Sequence, residues 1–270
     1  MVEFVDQDLR GSRFAGVDLS GAQFRLVRLE GADFRFVELA DVTMRGVELV
    51  NVAITGEIVN VTVNGVDIGP LVDAELDRRD PGRVAMRASA PAEFVAAWAL
   101  LDRLWAGTIE RARTLDPALL HESVDGEWSF IETLRHLVFA TDAWVRRGIQ
   151  GDPAPWDPLD LPWDQMLDTP GVPRDREVRP SMDTVLALRR DRTEGVRVLL
   201  SGLTERALDA GTEPVEGPGW PESRSYPVRD CLLVVLNEEF QHRLYAERDL
   251  GLLVARATAP TARSTSSGVL

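Results

Sequence analysis

Large apolar residues fall at every fifth position near the start of the chain: Phe4, Leu9, Phe14, Leu19, Phe24, Leu29, Phe34, Leu39, Met44, Leu49 and Ile54. Two positions before most of them sits a small or medium residue: Ser12, Val17, Ala22, Val27, Ala32, Val37, Val42, Val47 and Val52. The positions between are mostly polar or glycine. A period of five matches neither the 3.6-residue helix nor the two-residue strand. It matches a chain that turns a corner every five residues. The central Leu or Phe is then expected to point to the axis, and each rung to bury its core on the next, as in a solenoid.

The pattern changes after Glu57. Val59–Ile68 alternates around Asn64-Gly65, which predicts a hairpin placed to close the end of the coil. A short helix is expected over 71–79, then a linker through Asp80-Pro81-Gly82. Four helix-length periodic segments follow: Ala92–Thr114, Phe130–Gly148, Asp183–Leu208 and Pro227–Leu253. The first carries Phe94, Trp98, Leu101, Trp105 and Ile109 on one stripe. Ser129 and Glu132 make a capping box for the second, Ser181 an N-cap for the third, and Pro227 suits the first turn of the fourth. Residues 151–180 form a proline-rich crossover long enough to let the second and third helices run parallel. The expected divisions are 1–57 (repeats), 58–87 (hairpin, short helix and linker), 88–253 (helical bundle) and 254–270 (disordered tail).

Composition removes several classes. No apolar run is long enough for a membrane helix, and the acidic start lacks a signal-peptide core. A cytoplasmic location is the default expectation. One cysteine, Cys231, excludes a disulfide framework and a cysteine-rich zinc site. A net charge of −14 argues against sequence-independent nucleic-acid binding. All 30 basic residues are arginine. Without lysine there is no Walker lysine and no Schiff-base chemistry.

Chemistry concentrates on the histidines His121, His136 and His242. Glu238 and His242 lie one turn apart on the apolar face of the fourth segment that also carries Cys231 and Val235. Such a pair needs a partner: a metal, an arginine or a water network. His136 sits mid-way along the second segment. If the two helices face each other, His136, Glu238 and His242 converge into a set that suits zinc or another divalent ion. Glu239 offers a competing Glu-x-x-His pair, but it points toward another helix or water. His121 reads as a loop or capping residue, and Cys231 as a small core residue with a ligand role as the lesser option. Arg248 and Asp249 read as a structural ion pair. Tyr245 shares the face of His242 and is a candidate hydrogen-bond donor at a catalytic site.

Two resemblances attach to these residues. Gly21-Ala22-Gln23-Phe24-Arg25 and Gly31-Ala32-Asp33-Phe34-Arg35 resemble the pentapeptide-repeat motif. That resemblance covers residues 2–56 and implies a short right-handed quadrilateral β-helix. Some pentapeptide proteins are acidic DNA mimics. Here fewer than three coils at about 4.8 Å per rung make a short rod, and arginines dot its face, so mimicry ranks third among the readings. Trp128 through Leu137, and Leu236 through Leu250, resemble the second- and fourth-helix motifs of the DinB-like bundle family. This implies an up-down-down-up four-helix bundle over about residues 90–252. It also implies a metal held by one histidine of the second helix and a His-x-x-x-His pair of the fourth. His136 and His242 match, whereas Glu238 stands where the family has histidine.

The resemblance further implies metal-dependent transfer with a low-molecular-weight thiol such as mycothiol or bacillithiol, zinc or nickel as the ion, and a small electrophile as second substrate. Trp156 and Trp163 of the crossover would wall its entrance. The expectation is thus a two-domain β + α protein, a pentapeptide solenoid followed by a DinB-like bundle, that acts as a thiol S-transferase. The alternative is a non-catalytic module that binds a protein partner through the solenoid. Neither nucleic acid nor membrane is expected as a partner, and a homodimer is compatible with both readings.

Overall fold

The computed structural model describes residues 2–258. It divides into two compact units, the first ending at Glu57 and the second starting at Ile58. The first unit turns every five residues. A left-handed φ falls at Asp6, Gly11, Gly16, Gly21, Leu26, Gly31, Phe36, Asp41, Gly46 and Asn51. Glycine takes this conformation freely, and Asp and Asn tolerate it. The corners demanded by the period are therefore present. The stacked rungs of a β-helix are not shown. No strand lies among the described residues of this unit, and the central residues stay exposed, Phe24 at 64% and Phe34 at 61%. The backbone bonds seen there are local turns, such as Ala22 N–H to Leu19 O at 2.9 Å. Burying the fifth position requires ladder bonds between successive coils, which local turns do not supply.

The second unit opens with a two-residue hairpin, β1 (Thr62–Val63) and β2 (Val66–Asp67), antiparallel with Val63 opposite Val66. Asn64 and Gly65 both have positive φ, which fits a tight primed turn. Helices α1 (Gly69–Arg79) and α2 (Gly82–Ala85) follow. The segment expected as a linker is partly helical and packed: Gly82 lies against Phe240 and Leu100. The hairpin, α1 and α2 thus group with the bundle rather than with the repeats.

Four long helices form the bundle: α3 (Pro91–Ala112), α4 (Phe130–Thr141), α5 (Met182–Ser201) and α7 (Val228–Thr258). Their directions follow from cross-helix contacts. Arg229 reaches Ser89 at one end of α3 and α7, and Arg111 reaches Glu247 at the other, so these two run parallel. Arg113 pairs with Asp183 and Asp102 with Arg197, so α3 and α5 are antiparallel. His136 meets Glu238 while Gly148 abuts Cys231, so α4 and α7 are antiparallel. The order is up-down-down-up.

Three boundaries differ from the sequence reading. The second helix continues beyond Thr141 as a π-helical segment, Asp142–Ile149. The third stops at Ser201, and Thr204 caps a separate turn, α6 (Glu205–Leu208). Gly202 ends α5, as its low helix propensity favours. The fourth runs past Leu253 to Thr258, so the expected disordered tail loses its first residues to helix. Its remainder, from 259, lies outside the described residues.

The crossover is clamped onto α4 by buried arginines. Arg135 donates to Leu159 O at 2.8 Å and Asp175 O at 2.6 Å. Asp160 of the crossover is fully buried, and its Oδ1 has no hydrogen-bond partner. Burial, then the charge of Asp142, raises its pKa well above 3.8. An acid with a raised folded pKa contributes most below its unfolded pKa, and that contribution is lost as pH rises through the folded value. Asp160→Asn is therefore expected to flatten the fall in stability above about pH 4. Urea midpoints at pH 4 and pH 7 measure this. An unchanged difference between the two midpoints would show that Asp160 does not carry it.

Candidate metal centre

The start of α4 is fixed by its capping box. Ser129 Oγ accepts from Glu132 N–H at 3.3 Å, and the Glu132 carboxylate accepts from Ser129 N–H at 2.9 Å. Two turns on, His136 is buried and faces α7. Its Nδ1 lies 2.9 Å from Leu161 O. A carbonyl can only accept, so Nδ1 carries the hydrogen and the remaining lone pair belongs to Nε2.

That Nε2 points at Glu238, 3.2 Å from Oε2. His242 Nε2 approaches the same oxygen at 3.0 Å. One ligand atom from each of His136, Glu238 and His242 falls within a 4.8 Å sphere of mutual distances. Burial opposes ionisation of Glu238, but hydrogen bonds and charge from His136 and His242 outweigh it and hold the carboxyl well below its usual range. A neutral Nε2 facing a carboxylate is repulsive unless a positive charge sits between them. That charge is either a second proton on the ring or a cation. The donor set fits a divalent ion: two imidazoles, one carboxylate and a carbonyl that fixes a ring from behind.

Aromatic rings frame the triad. Trp128 stacks on His242, 5.6 Å between centroids and 8° from parallel, and lies 4.5 Å from the His136 ring. Its Nε1–H donates to Asp164 at 3.1 Å, and Asp164 also pairs with Arg176. On the other side opens a cavity of about 250 Å³, lined by His136, Phe139, Ala140, Trp144, Trp163, Trp220, Val234 and Glu238.

The remaining sequence candidates separate. Tyr245 sets its ring edge 5.9 Å from the His242 ring and is 39% exposed. It is beside the triad but not a wall of the cavity. Trp163 is such a wall, whereas Trp156 stacks on Phe139 at 5.5 Å and packs the crossover down. Cys231 is buried away from the triad, and burial pushes its thiol up to about 11. His121 ends a short 3₁₀ turn, Leu119–His121, outside the cluster. Arg248 and Asp249 pair with each other at 2.7 Å. Glu239 turns to α5 and pairs with Arg189 at 2.8 Å, both buried.

Trp128, Trp144 and Trp220 were not singled out as site walls by periodicity. Only Trp220 carries a weaker signal, as apolar bulk in the 211–227 loop with no helix face to serve; Trp128 stands just before α4 and Trp144 on its π-helical continuation.

The architecture is that of a four-helix bundle with a His/Glu triad able to hold a metal between its second and fourth long helices. The family comparison agrees: residues 100–246 match the DinB superfamily, and residues 7–53 match pentapeptide repeats in eight copies. The chain belongs to the DinB superfamily and carries a pentapeptide-repeat region before the bundle. No curated protein and no solved structure matches it significantly.

The two adjacent glutamates predict opposite behaviours. Arg189→Met strands Glu239 as a buried unpaired charge and is expected to cost about 3 kcal/mol or more. Glu238→Ala empties a position beside an open cavity and, with both proteins kept in EDTA, is expected to cost about 1 kcal/mol or less. Urea denaturation of both variants checks the ranking, and equal losses would contradict it.

Proposed function

We propose that the bundle is a metal-dependent transferase that joins a low-molecular-weight thiol to a small electrophile. The observation that carries this reading is the convergence of His136 Nε2, Glu238 Oε2 and His242 Nε2, with the His136 tautomer set by Leu161 O. His136, Glu238 and His242 would hold the ion. When bound, zinc or nickel supplies a positive charge that lowers the pKa of a thiol at the open position. The reaction balances simply. The thiol gives its proton to solvent, its sulfur forms a bond to the electrophilic carbon, and the leaving group departs with the electron pair of the bond it breaks.

The chain's own residues have separate tasks. Leu161 O keeps the His136 lone pair aimed at the triad. Trp128 lies flat on the His242 ring and resists its rotation. Glu238 brings one negative charge where the related bundles have a neutral histidine, which leaves less net positive charge to stabilise an anionic sulfur. Tyr245, whose ring meets His242 edge to face, would donate a hydrogen bond from the solvent side. Mycothiol or bacillithiol is the class of thiol that the family resemblance supplies.

For the repeat region, we propose that its five-residue corners belong to a right-handed quadrilateral β-helix that presents a protein-binding surface. The support is the left-handed φ recurring every fifth residue and the row of apolar side chains left to be covered.

Two experiments test these readings. Elemental analysis of the purified chain is expected to find close to one zinc or nickel per molecule. His136→Ala, Glu238→Ala and His242→Ala should each weaken metal binding by about 100-fold, at or beyond the top of the 10–100-fold range for outer-shell partners. Thiol conjugation should fall with the metal. Full metal content in all three variants would overturn the assignment. Separately, hydrogen exchange on the intact chain should show protected amides across residues 12–52 if the coils stack. Exchange at free-peptide rates there would overturn the β-helix.

A further inference from the structure

Four aromatic residues, Phe139, Trp144, Trp163 and Trp220, make half of the lining of the cavity beside the triad. Trp163 and Trp220 meet edge to face, 4.9 Å between centroids and 70° apart. Trp144 meets Trp220 at 6.3 Å and 88°, and Phe139 meets Trp163 at 6.3 Å and 60°. Ala140 is the smallest side chain of the lining. Near-perpendicular rings offer both faces and edges to a guest, the arrangement that favours another flat ring.

Volume sets the size of that guest. An apolar cavity of about 150 Å³ admits benzene. This one, at about 250 Å³, has room for one ring with a substituent or two fused rings.

Charge sets its polarity. His136 and Glu238 are the only titratable walls, and both are committed to the triad. No guanidinium lines the cavity to meet an anion, so a buried anionic group would lack a partner. A cationic group would share the space with a divalent ion whose charge a single carboxylate does not cancel. An uncharged group meets neither penalty.

The walls are also held in place before any guest arrives. Trp163 sits on the crossover and Trp220 on the 211–227 loop. Arg147, fully buried, joins the two: it donates to Pro153 O at 2.7 Å in the crossover, and to Val215 O at 3.0 Å and Gly217 O at 2.8 Å in the other loop. Gly219 packs so closely on this guanidinium that a Cβ there would lie 2.8 Å from Cζ. Rigid walls reduce the ordering cost of binding.

We infer that this cavity is the electrophile half-site, and that it takes a flat, uncharged aromatic group of one or two fused rings. The word electrophile rests on the transferase reading above and the exclusion of a cation on the metal assignment; binding of the ring rests on neither.

The test is calorimetric titration of the full chain with indole, which fits the volume and does not ligate the ion, and with tetramethylammonium chloride. Saturable indole binding is expected, with tetramethylammonium silent. Ala140→Leu adds bulk to the lining and should weaken indole at least tenfold while the circular dichroism and metal content stay as in the parent. Trp220→Ala should weaken it similarly. His242→Ala, whose side chain does not line the cavity, should lose the metal yet keep indole, which separates this inference from the metal assignment. No saturable indole binding, binding indifferent to Ala140→Leu and Trp220→Ala, or saturable tetramethylammonium binding would each overturn it.

Discussion

The second unit depends on guanidinium groups buried against backbone carbonyls. Arg135 and Arg147 both lie on the second long helix segment, both are essentially inaccessible, and both spend their donors on loop carbonyls. Burial lowers the pKa of each. A buried cation of this kind needs most of its donors met; two nitrogens of Arg147 and two of Arg135 are, while Arg135 Nη1 and Arg147 Nε have no partner. The planar fork of arginine can meet several carbonyls at once, which a lysine ammonium does less well. In a chain with no lysine, this is how a long proline-rich crossover without helix or strand is fixed to the bundle.

Fixing the crossover is what makes the triad specific. Leu161 lies in that segment, and its carbonyl settles which nitrogen of His136 bears hydrogen. The same segment carries Asp164, which anchors Trp128, and Trp163, which walls the cavity. The helices alone would bring His136 to Glu238 and His242. The crossover decides what state the imidazole is in and what can approach it.

Much of this was legible in the chain. Helical spacing put Glu238 and His242 on one face, the Ser129–Glu132 box marked where α4 begins, and the length of the crossover allowed two parallel neighbours. Periodicity also separated Glu238 from Glu239 by angle, and Arg189 now accounts for the second. What escaped had no periodic signature. The π-helical segment at Asp142–Ile149 is indistinguishable by composition from plain helix, and Gly202 was too weak a signal to split α5 from α6. Trp220 reaches the cavity from a loop 57 residues along the chain from its packing partner Trp163, a juxtaposition created by tertiary contacts alone. In the repeats, the corners were readable from residue period, but whether coils stack depends on bonds between turns that no single repeat encodes.

The Arg147 staple has an evolutionary consequence. Loops are usually the parts of a fold that change length and sequence freely. Here the crossover and the 211–227 loop share one buried cation, so a shift in either leaves the carbonyls of the other unmet. The two loops cannot drift independently. A lineage in which either loop changes must remodel both together, or first relocate the arginine.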